Sequence, residues 1–287
     1  MRLLLTALAI SVAAMASASA QTGAPSAQAL YVERRALLET DARCGLFSPG
    51  IRAALQAGAG QAAGALLRGG WTRARLDELE HAAISAARAR DCGDPRSASA
   101  ARAAEAGFAS WARTYAMNFR GTERLWTARR SADVNGWRLS QPIAAPIAAT
   151  FGVREVEGAQ QLSLVMPLAA REGAPASVQL QMRDPARAGT DMLDLRGRTS
   201  SGLAAGLPAP GAARGYFANS RRIETNRNAP SQAVFTFPEA AFQSLLALDP
   251  RESAQLQFET GGRRQAILIE IGDLAAARAF LAASAES

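Results

Sequence analysis

The sequence contains no lysine, one histidine and two cysteines, and these shortages exclude several kinds of catalytic and metal site. Without lysine there is no Schiff-base amine, no Ser-Lys dyad and no lysine of a phosphate-binding loop. His81, Cys44 and Cys92 are too few for a site with several His ligands or for a four-Cys zinc site. No Gly-x-Ser-x-Gly elbow is present either. We therefore expect no cofactor and no bound metal.

The N-terminus has the pattern of a cleavable secretory signal peptide over residues 1–20. Arg2 precedes an apolar run from Leu3 to Ala16, and Ala18-Ser19-Ala20 forms the small-residue pattern that signal peptidase accepts. The run is too short to span a bilayer comfortably, although a retained anchor is the alternative. We expect an exported protein, periplasmic or secreted after cleavage near Ala20, with no transmembrane segment in the mature chain.

Residues 21–137 are predicted to form an Ala-rich bundle of four helices, because apolar residues recur there at helical spacing. Pro49 fits the first turn of the second helix, Gly69-Gly70 ends that helix, and Thr72 suits the N-cap of the third. The four helices are predicted over about 28–43, Pro49–Arg68, Thr72–Arg90 and Ser97–Phe119.

Residues 138–150 contain Pro142 and Pro146 in a small, apolar stretch, which predicts a linker. The apolar pattern then changes to strand spacing, so residues 151–287 are predicted to form an α+β domain with a mainly antiparallel sheet and two helices. The Gly- and Pro-rich stretch 196–215 predicts a long mobile loop. The predicted strands are 151–157, 161–167, 177–183 and 233–237, followed by a hairpin of 256–260 and 265–271 about Gly261-Gly262. The two predicted helices run from Pro238 to about 248 and from a cap at Asp273 onward.

Positive charge is concentrated in the helical part. Between Gln21 and Ser140 there are 17 Arg and 11 acidic residues, whereas the remainder to Ser287 is balanced with 14 of each. Interleaved arginines and aromatic rings suit anionic surfaces, because guanidinium groups bind phosphate or carboxylate and the rings supply rigid apolar area. The predicted anion-binding residues are Arg113, Arg120, Arg124, Arg129, Arg130, Trp126 and Trp137.

The alternative is an aromatic stripe facing the core beside a solvated arginine face. If the binding hypothesis holds, replacing Arg124, Arg129 and Arg130 together by Ser weakens binding to anionic lipid or polymer without unfolding the bundle. We expect an envelope component rather than nucleic acid as the partner of an exported chain.

Two further patterns resemble functional sites but are better explained by structure. Gly58-x-Gly60-x-x-x-Gly64 has the spacing of a nucleotide loop but lies inside a helical pattern, where small residues let two helices approach closely. His81 projects to the solvent side of the third helix, away from Leu76. Carboxylates alone can hydrolyse glycans, so that chemistry stays open.

The element order of residues 233–283 is strand, helix, hairpin and terminal helix, and Phe237-Pro238 and Gly272-Asp273 open the two helices. This order resembles that of exported invasion-associated locus B-type proteins, over about fifty residues and without a specific motif. The resemblance implies an envelope or virulence-associated accessory protein rather than an enzyme with known catalytic residues.

Cys44 and Cys92 are predicted to form an intramolecular disulfide. Exported thiols tend to be oxidised. Cys44 ends the first helix and Cys92 follows the third, and an up-down bundle places those two ends together.

These observations favour an exported, non-enzymatic binding protein of the bacterial cell envelope that contacts anionic lipid or polymer, or another envelope protein. The alternatives are an envelope glycan hydrolase that uses only carboxylates, and a secreted effector or scaffold that binds another protein.

Overall fold

The chain is α+β, as predicted, with four N-terminal helices followed by two antiparallel sheets and two further helices. The structure is a computed structural model that describes residues 26–168, 174–184, 186–187, 201–226 and 229–282. The predicted signal peptide lies outside the described residues. No helix in these ranges is long and apolar enough to cross a membrane.

The first four helices begin at side-chain caps. Ser26, Ser48 and Thr72 each accept a backbone N–H three residues ahead, and Asp94 accepts the backbone N–H groups of Arg96 and Ser97. Each cap therefore satisfies one or two of the free donors at the helix start. The predicted cap at Thr72 is thereby confirmed. The helices are α1 (Ala27–Cys44), α2 (Pro49–Arg68), α3 (Arg73–Arg88) and α4 (Pro95–Ala112).

The disulfide between Cys44 and Cys92 is present, with a Cα–Cα distance of 5.7 Å. It joins the C-terminal end of α1 to the turn after α3, as the up-down arrangement predicts. Arg43 supports the same junction, since its guanidinium donates to the backbone carbonyls of Ala87 at 3.1 Å and Arg90 at 3.0 Å.

The sheet region begins at residue 116, about 35 residues before the predicted first strand at 151, so two predictions are wrong. The fourth helix ends at Ala112 rather than Phe119, and residues 138–150 are not a linker but parts of two strands. Arg130 explains the end of α4, because its guanidinium donates to the carbonyls of Trp111 and Thr114 in the last turn. Beyond that point the chain forms a hairpin in which Phe119 pairs with Trp126 and both face the core.

The strands in the described residues are assigned as follows: β1 (Ala116–Arg120), β2 (Leu125–Arg129), β3 (Trp137–Ile143), β4 (Ala149–Val156), β5 (Ala159–Pro167), β6 (Val178–Arg183), β7 (Ala213–Phe217), β8 (Ser220–Asn226), β9 (Ala229–Thr236), β10 (Ser253–Thr260) and β11 (Arg263–Glu270). One sheet has the order β1-β2-β3-β4-β5-β9-β8, and the other has the order β11-β10-β6-β7. The remaining helices are α5 (Glu239–Leu246) and α6 (Leu274–Ala282). The inner faces of both sheets share one hydrophobic core with α5 and α6.

The predicted loop 196–215 is only partly a loop. Residues 196–200 lie outside the described residues, Gly202–Gly206 and Pro210–Ala212 form short 3-10 turns, and Ala213–Phe217 is strand β7. This strand pairs with β6 on one side only, and Ala213, Gly215 and its polar residues leave little apolar alternation to detect. The Gly261-Gly262 hairpin is confirmed, and both glycines have positive φ, of 58° and 72°.

Helix α2 packs against α6 where α2 carries small residues. A Cβ atom at Gly60 would lie 3.2 Å from the Cβ of Ala276, and one at Gly64 would lie 2.0 Å from Oδ1 of Asp273. Asp273 binds Arg68 of α2 through Nη1 at 2.7 Å and Nη2 at 3.1 Å. The glycine pattern therefore serves close helix approach, as its place inside α2 predicts.

Replacing Gly64 by Ala should lower the free energy of unfolding by about 1–2 kcal/mol. Alanine favours the helix by up to about 1 kcal/mol, but its Cβ forces the buried Asp273 carboxylate away from Arg68. Gly107→Ala in α4 is the matched control, because a Cβ there meets nothing within 4 Å. Urea unfolding should show Gly107→Ala as neutral or stabilising. Equal effects of the two variants would show that a Cβ at residue 64 does not clash with Asp273.

Candidate functional site

The two predicted binding tryptophans lie on opposite faces of the seven-stranded sheet. Trp126 is 1% exposed in the main core, where its indole N–H donates to the carbonyls of Glu270 and Ile271 at 3.1 and 2.9 Å. Trp137 lies in a separate cluster with Val165 and Val234. Trp126 is therefore a core residue and does not contact a ligand at the surface.

Arg124 and Arg130 hold backbone together rather than project into solvent. The Arg124 guanidinium donates to the carbonyl of Leu268, and partial burial lowers its pKa. Arg130 lies 4.5 Å from the ring centre of Trp111 and 4.3 Å from that of Phe280, and burial lowers its pKa as well. Replacing Arg124, Arg129 and Arg130 together by Ser would remove these contacts. The expectation that this substitution leaves the fold intact is therefore wrong.

The other predicted arginines do not complete a common surface with these residues. Arg113 and Arg120 are exposed, and Arg129 lies 4.0 Å from Asp133 in a half-buried pair. The structure thus divides the seven predicted residues among the core, backbone contacts and separate exposed positions. The predicted aromatic residues interleaved with them are mainly packing residues, which agrees with the alternative interpretation of this stretch.

A groove of about 840 Å³ crosses the outer face of the seven-stranded sheet. Thr150, Val165 and Arg222 line it and belong to one row of paired residues on four adjacent strands, in which the buried Val234 lies between Val165 and Arg222. Trp137 also lines the groove, so one predicted binding residue does belong to it. The other lining side chains are mainly polar.

Two arginines hold one carboxylate in this groove. Arg154 donates to the two carboxylate oxygens of Glu224 at 3.3 and 3.4 Å, and Arg222 donates to Oε1 at 2.8 Å. Arg154 is fixed from below, since its Nε donates to the Asn135 carbonyl at 2.9 Å and its guanidinium lies 5.6 Å from the Trp137 ring centre. The Arg154 side chain is 11% exposed and that of Arg222 is 51% exposed. The groove therefore has a rigid cation at its floor and a more accessible one at its rim.

Glu224 is ionised in this arrangement. Partial burial opposes its ionisation, but the hydrogen bonds and charges of Arg154 and Arg222 outweigh that effect and hold the pKa of Glu224 below its ordinary value of 4.5. Because the Arg154 bonds to Glu224 are long, a carboxylate or phosphate of a ligand can compete for the same guanidinium groups. The other carboxylate that lines the groove, that of Glu155, is paired with Arg138 at 3.0 Å, so an anion would bind through Arg154 and Arg222.

Sequence reasoning missed this groove because its residues come from β3, β4, β5, β8 and β9, which become neighbours only through the order of the sheet. The local signal was weak. Arg222 and Glu224 lie two residues apart on one face of β8, and Thr150 and Arg154 share one face of β4.

Two of the three carboxylates that line a second cavity, of about 380 Å³, serve as structural acceptors, and the third, that of Glu123, belongs to an exposed residue. Glu270 accepts the backbone N–H groups of Thr122, Glu123 and Arg124 in the turn between β1 and β2. Glu252 is buried in an ion pair with Arg183. Both residues are committed to holding segments together, which favours a structural role over acid–base catalysis.

His81 is exposed on α3, as predicted, and its Nδ1 lies 2.8 Å from the carbonyl of Asp77. Among the described residues, no group of three His, Cys, Asp or Glu side chains could hold a metal ion. Comparisons with family models, with curated proteins and with solved structures give no match for the chain.

Proposed function

We propose that this chain is an exported, non-enzymatic binding protein of the bacterial cell envelope, and that it binds an anionic group of an envelope component in the groove of the seven-stranded sheet. The observation that carries the proposal is the pair of arginines on one carboxylate, Arg154 and Arg222 on Glu224. The ligand group is a carboxylate or a phosphate, which guanidinium groups bind in a forked geometry.

The geometry favours binding because the cationic floor is preorganised. Arg154 is held by the Asn135 carbonyl and the Trp137 ring before any ligand arrives, so little side-chain entropy is lost when an anion binds. In the free protein, Glu224 bridges the two guanidinium groups and neutralises one of their two positive charges. An entering anion replaces that carboxylate.

The alternatives have less support. A glycan hydrolase that uses only carboxylates needs two acids converging on a substrate, whereas Glu252 and Glu270 of the second cavity bind Arg183 and backbone N–H groups. A protein-binding scaffold is compatible with the exported location but has no specific surface in its favour beyond the groove itself.

The proposal is tested by co-sedimentation of the purified protein with vesicles and with isolated peptidoglycan sacculi. Vesicles of phosphatidylglycerol supply phosphate, sacculi supply carboxylates, and vesicles of phosphatidylcholine are the neutral comparison. We expect retention on at least one anionic material at low salt and its loss at high salt, because screening weakens exposed ion pairs. Absence of retention on both anionic materials at low salt contradicts the proposal.

Replacing Glu224 by Gln should tighten anion binding by about tenfold, because it removes the competing charge and keeps the side-chain shape. Glu239→Gln on α5 makes the same charge change outside the groove, at an exposed residue. Co-sedimentation across a range of vesicle concentrations measures both variants. If Glu224→Gln binds no more tightly than Glu239→Gln, the anion does not enter between the two arginines.

A further inference from the structure

The outer face of the four-stranded sheet carries a square of four glutamines. Gln179 and Gln181 lie on β6, and they pair across the ladder with Gln257 and Gln255 on β10. Residues at alternate positions of paired strands share one face, so all four amides point away from the core that Leu180 and Leu256 help to form. All four glutamines are half-buried.

The amides bind each other along each strand. Gln181 donates to Gln179 at 3.0 Å, and Gln257 donates to Gln255 at 3.2 Å. A glutamine amide has two N–H groups and two carbonyl lone pairs, and each of these bonds uses one donor and one acceptor. Each pair therefore retains donors and acceptors with which it can bind hydroxyl groups, and the bonds within the pairs hold the amides in place.

Two adjoining cavities lie on this square. They measure about 380 and 370 Å³, and both are lined by Gln181 and Gln257, so together they form one groove along the strands. Gly215 on β7 keeps one side open, because a Cβ there would lie 2.4 Å from Nε2 of Gln179.

The two ends of the groove are apolar, whereas charged side chains lie at its edge. Phe217, at one end, is 62% exposed, an unusual degree for an aromatic ring on a folded surface. Pro208 and Pro210 form a rigid wall at the other end. Glu259 and Arg264 face each other across the β10–β11 ladder beside Phe217, so the charge at this end is balanced.

We infer that this face binds a neutral oligosaccharide. Sugar hydroxyls both donate and accept hydrogen bonds, which matches an array of amides, and the apolar face of a sugar ring packs against an exposed aromatic ring such as Phe217. The centre of the groove carries no charged side chain, although the chain contains 32 Arg and 25 acidic residues. An uncharged centre fits a neutral ligand. This site lies on the other sheet from the anion groove and shares no lining residue with it.

The test is calorimetric titration of the purified protein with neutral hexasaccharides, namely maltohexaose, cellohexaose and the hexamer of N-acetylglucosamine. We expect at least one of them to bind. The variant Phe217→Ser and the double variant Gln181→Ala with Gln257→Ala should each weaken that binding by about tenfold.

Matched controls separate the groove from the rest of the surface. Ile223→Ser removes another exposed apolar side chain, on β8, and Gln243→Ala removes an exposed amide on α5. Both should bind the sugar as the unsubstituted protein does, and so should Arg222→Ser in the anion groove. The inference is overturned if none of the hexasaccharides binds, if the groove variants bind as well as the controls, or if Arg222→Ser abolishes the binding. The last outcome would place the sugar in the anion groove.

Discussion

Replacing Arg183 by Met should lower the free energy of unfolding by about 3–5 kcal/mol, because it leaves a buried carboxylate without its cation. Arg183 and Glu252 are 5% and 2% exposed and bind through two parallel contacts, Nε to Oε1 at 2.6 Å and Nη2 to Oε2 at 3.1 Å. The hydrogen bonds from Arg183 to Glu252 raise the pKa of Arg183. Glu252 also accepts the backbone N–H of Asp249 at 2.6 Å, so the loss spreads to the turn before β10.

Arg214→Met is the matched control for Arg183→Met. Arg214 contacts Asp184 at 3.2 Å, but its side chain is 45% exposed, and Asp184 keeps a second cation, Arg187, at 3.4 Å when Arg214 is replaced, so we expect only a small effect. Urea unfolding followed by circular dichroism compares the two. Adding Glu252→Gln to Arg183→Met should recover part of the loss, because it removes the unpaired charge. The account is wrong if Arg183→Met costs no more than Arg214→Met.

Replacing both Cys44 and Cys92 by Ser should lower the free energy of unfolding by about 2–5 kcal/mol. The two residues are 48 positions apart in sequence, and a crosslink over such a loop restricts the unfolded chain by about 4 kcal/mol in the chain-entropy model. Urea unfolding of the double variant measures the effect. The loss of stability should fall mainly on the helical part, since the bond joins α1 to the turn after α3.

Reduction of the native protein provides the control for this variant, because it breaks the bond without changing a side chain. The reduced protein and the double Ser variant should have the same unfolding midpoint. Mass spectrometry after alkylation, without prior reduction, should find neither cysteine modified. Two alkylated cysteines under those conditions would contradict the disulfide.

The features that were predictable from sequence are those in which local pattern and local structure agree. The bounds of α2 follow from Pro49 and Gly69, and the β10–β11 hairpin follows from the two glycines between its strands. The disulfide was predictable because helix order alone brings the ends of α1 and α3 together.

The hairpin of β1 and β2 was not predictable because its local pattern favours the wrong element. Trp111, Tyr115 and Phe119 are spaced four apart, as on a helix face, but Arg130 binds the carbonyls at the end of α4 and Phe119 turns to the core opposite Trp126. Both events depend on contacts with residues that follow later in the chain. Tertiary contacts here override periodicity.

The anion groove and the glutamine square have a different reason for escaping prediction. Each is made by residues from strands that are distant in sequence, and each depends on a strand order in which β5 lies beside β9 and β10 beside β6. Alternation along one strand shows which residues share a face, but not which other strands lie next to it. Arg129 and Arg130, on which the sequence-based hypothesis depends, are accordingly not the arginines that share the groove.

The most direct test of the central claim uses the anionic material, phosphatidylglycerol vesicles or sacculi, that retains the unsubstituted chain. It compares the affinity of three proteins for that material at low salt: the unsubstituted chain, Arg222→Ser and Arg113→Ser. Both arginines are exposed, but only Arg222 lines the groove. We predict that Arg222→Ser weakens binding by about tenfold while Arg113→Ser binds as the unsubstituted chain does. Loss of binding in Arg113→Ser with full binding in Arg222→Ser would contradict the groove as the site and return the function to the arginines that follow α4.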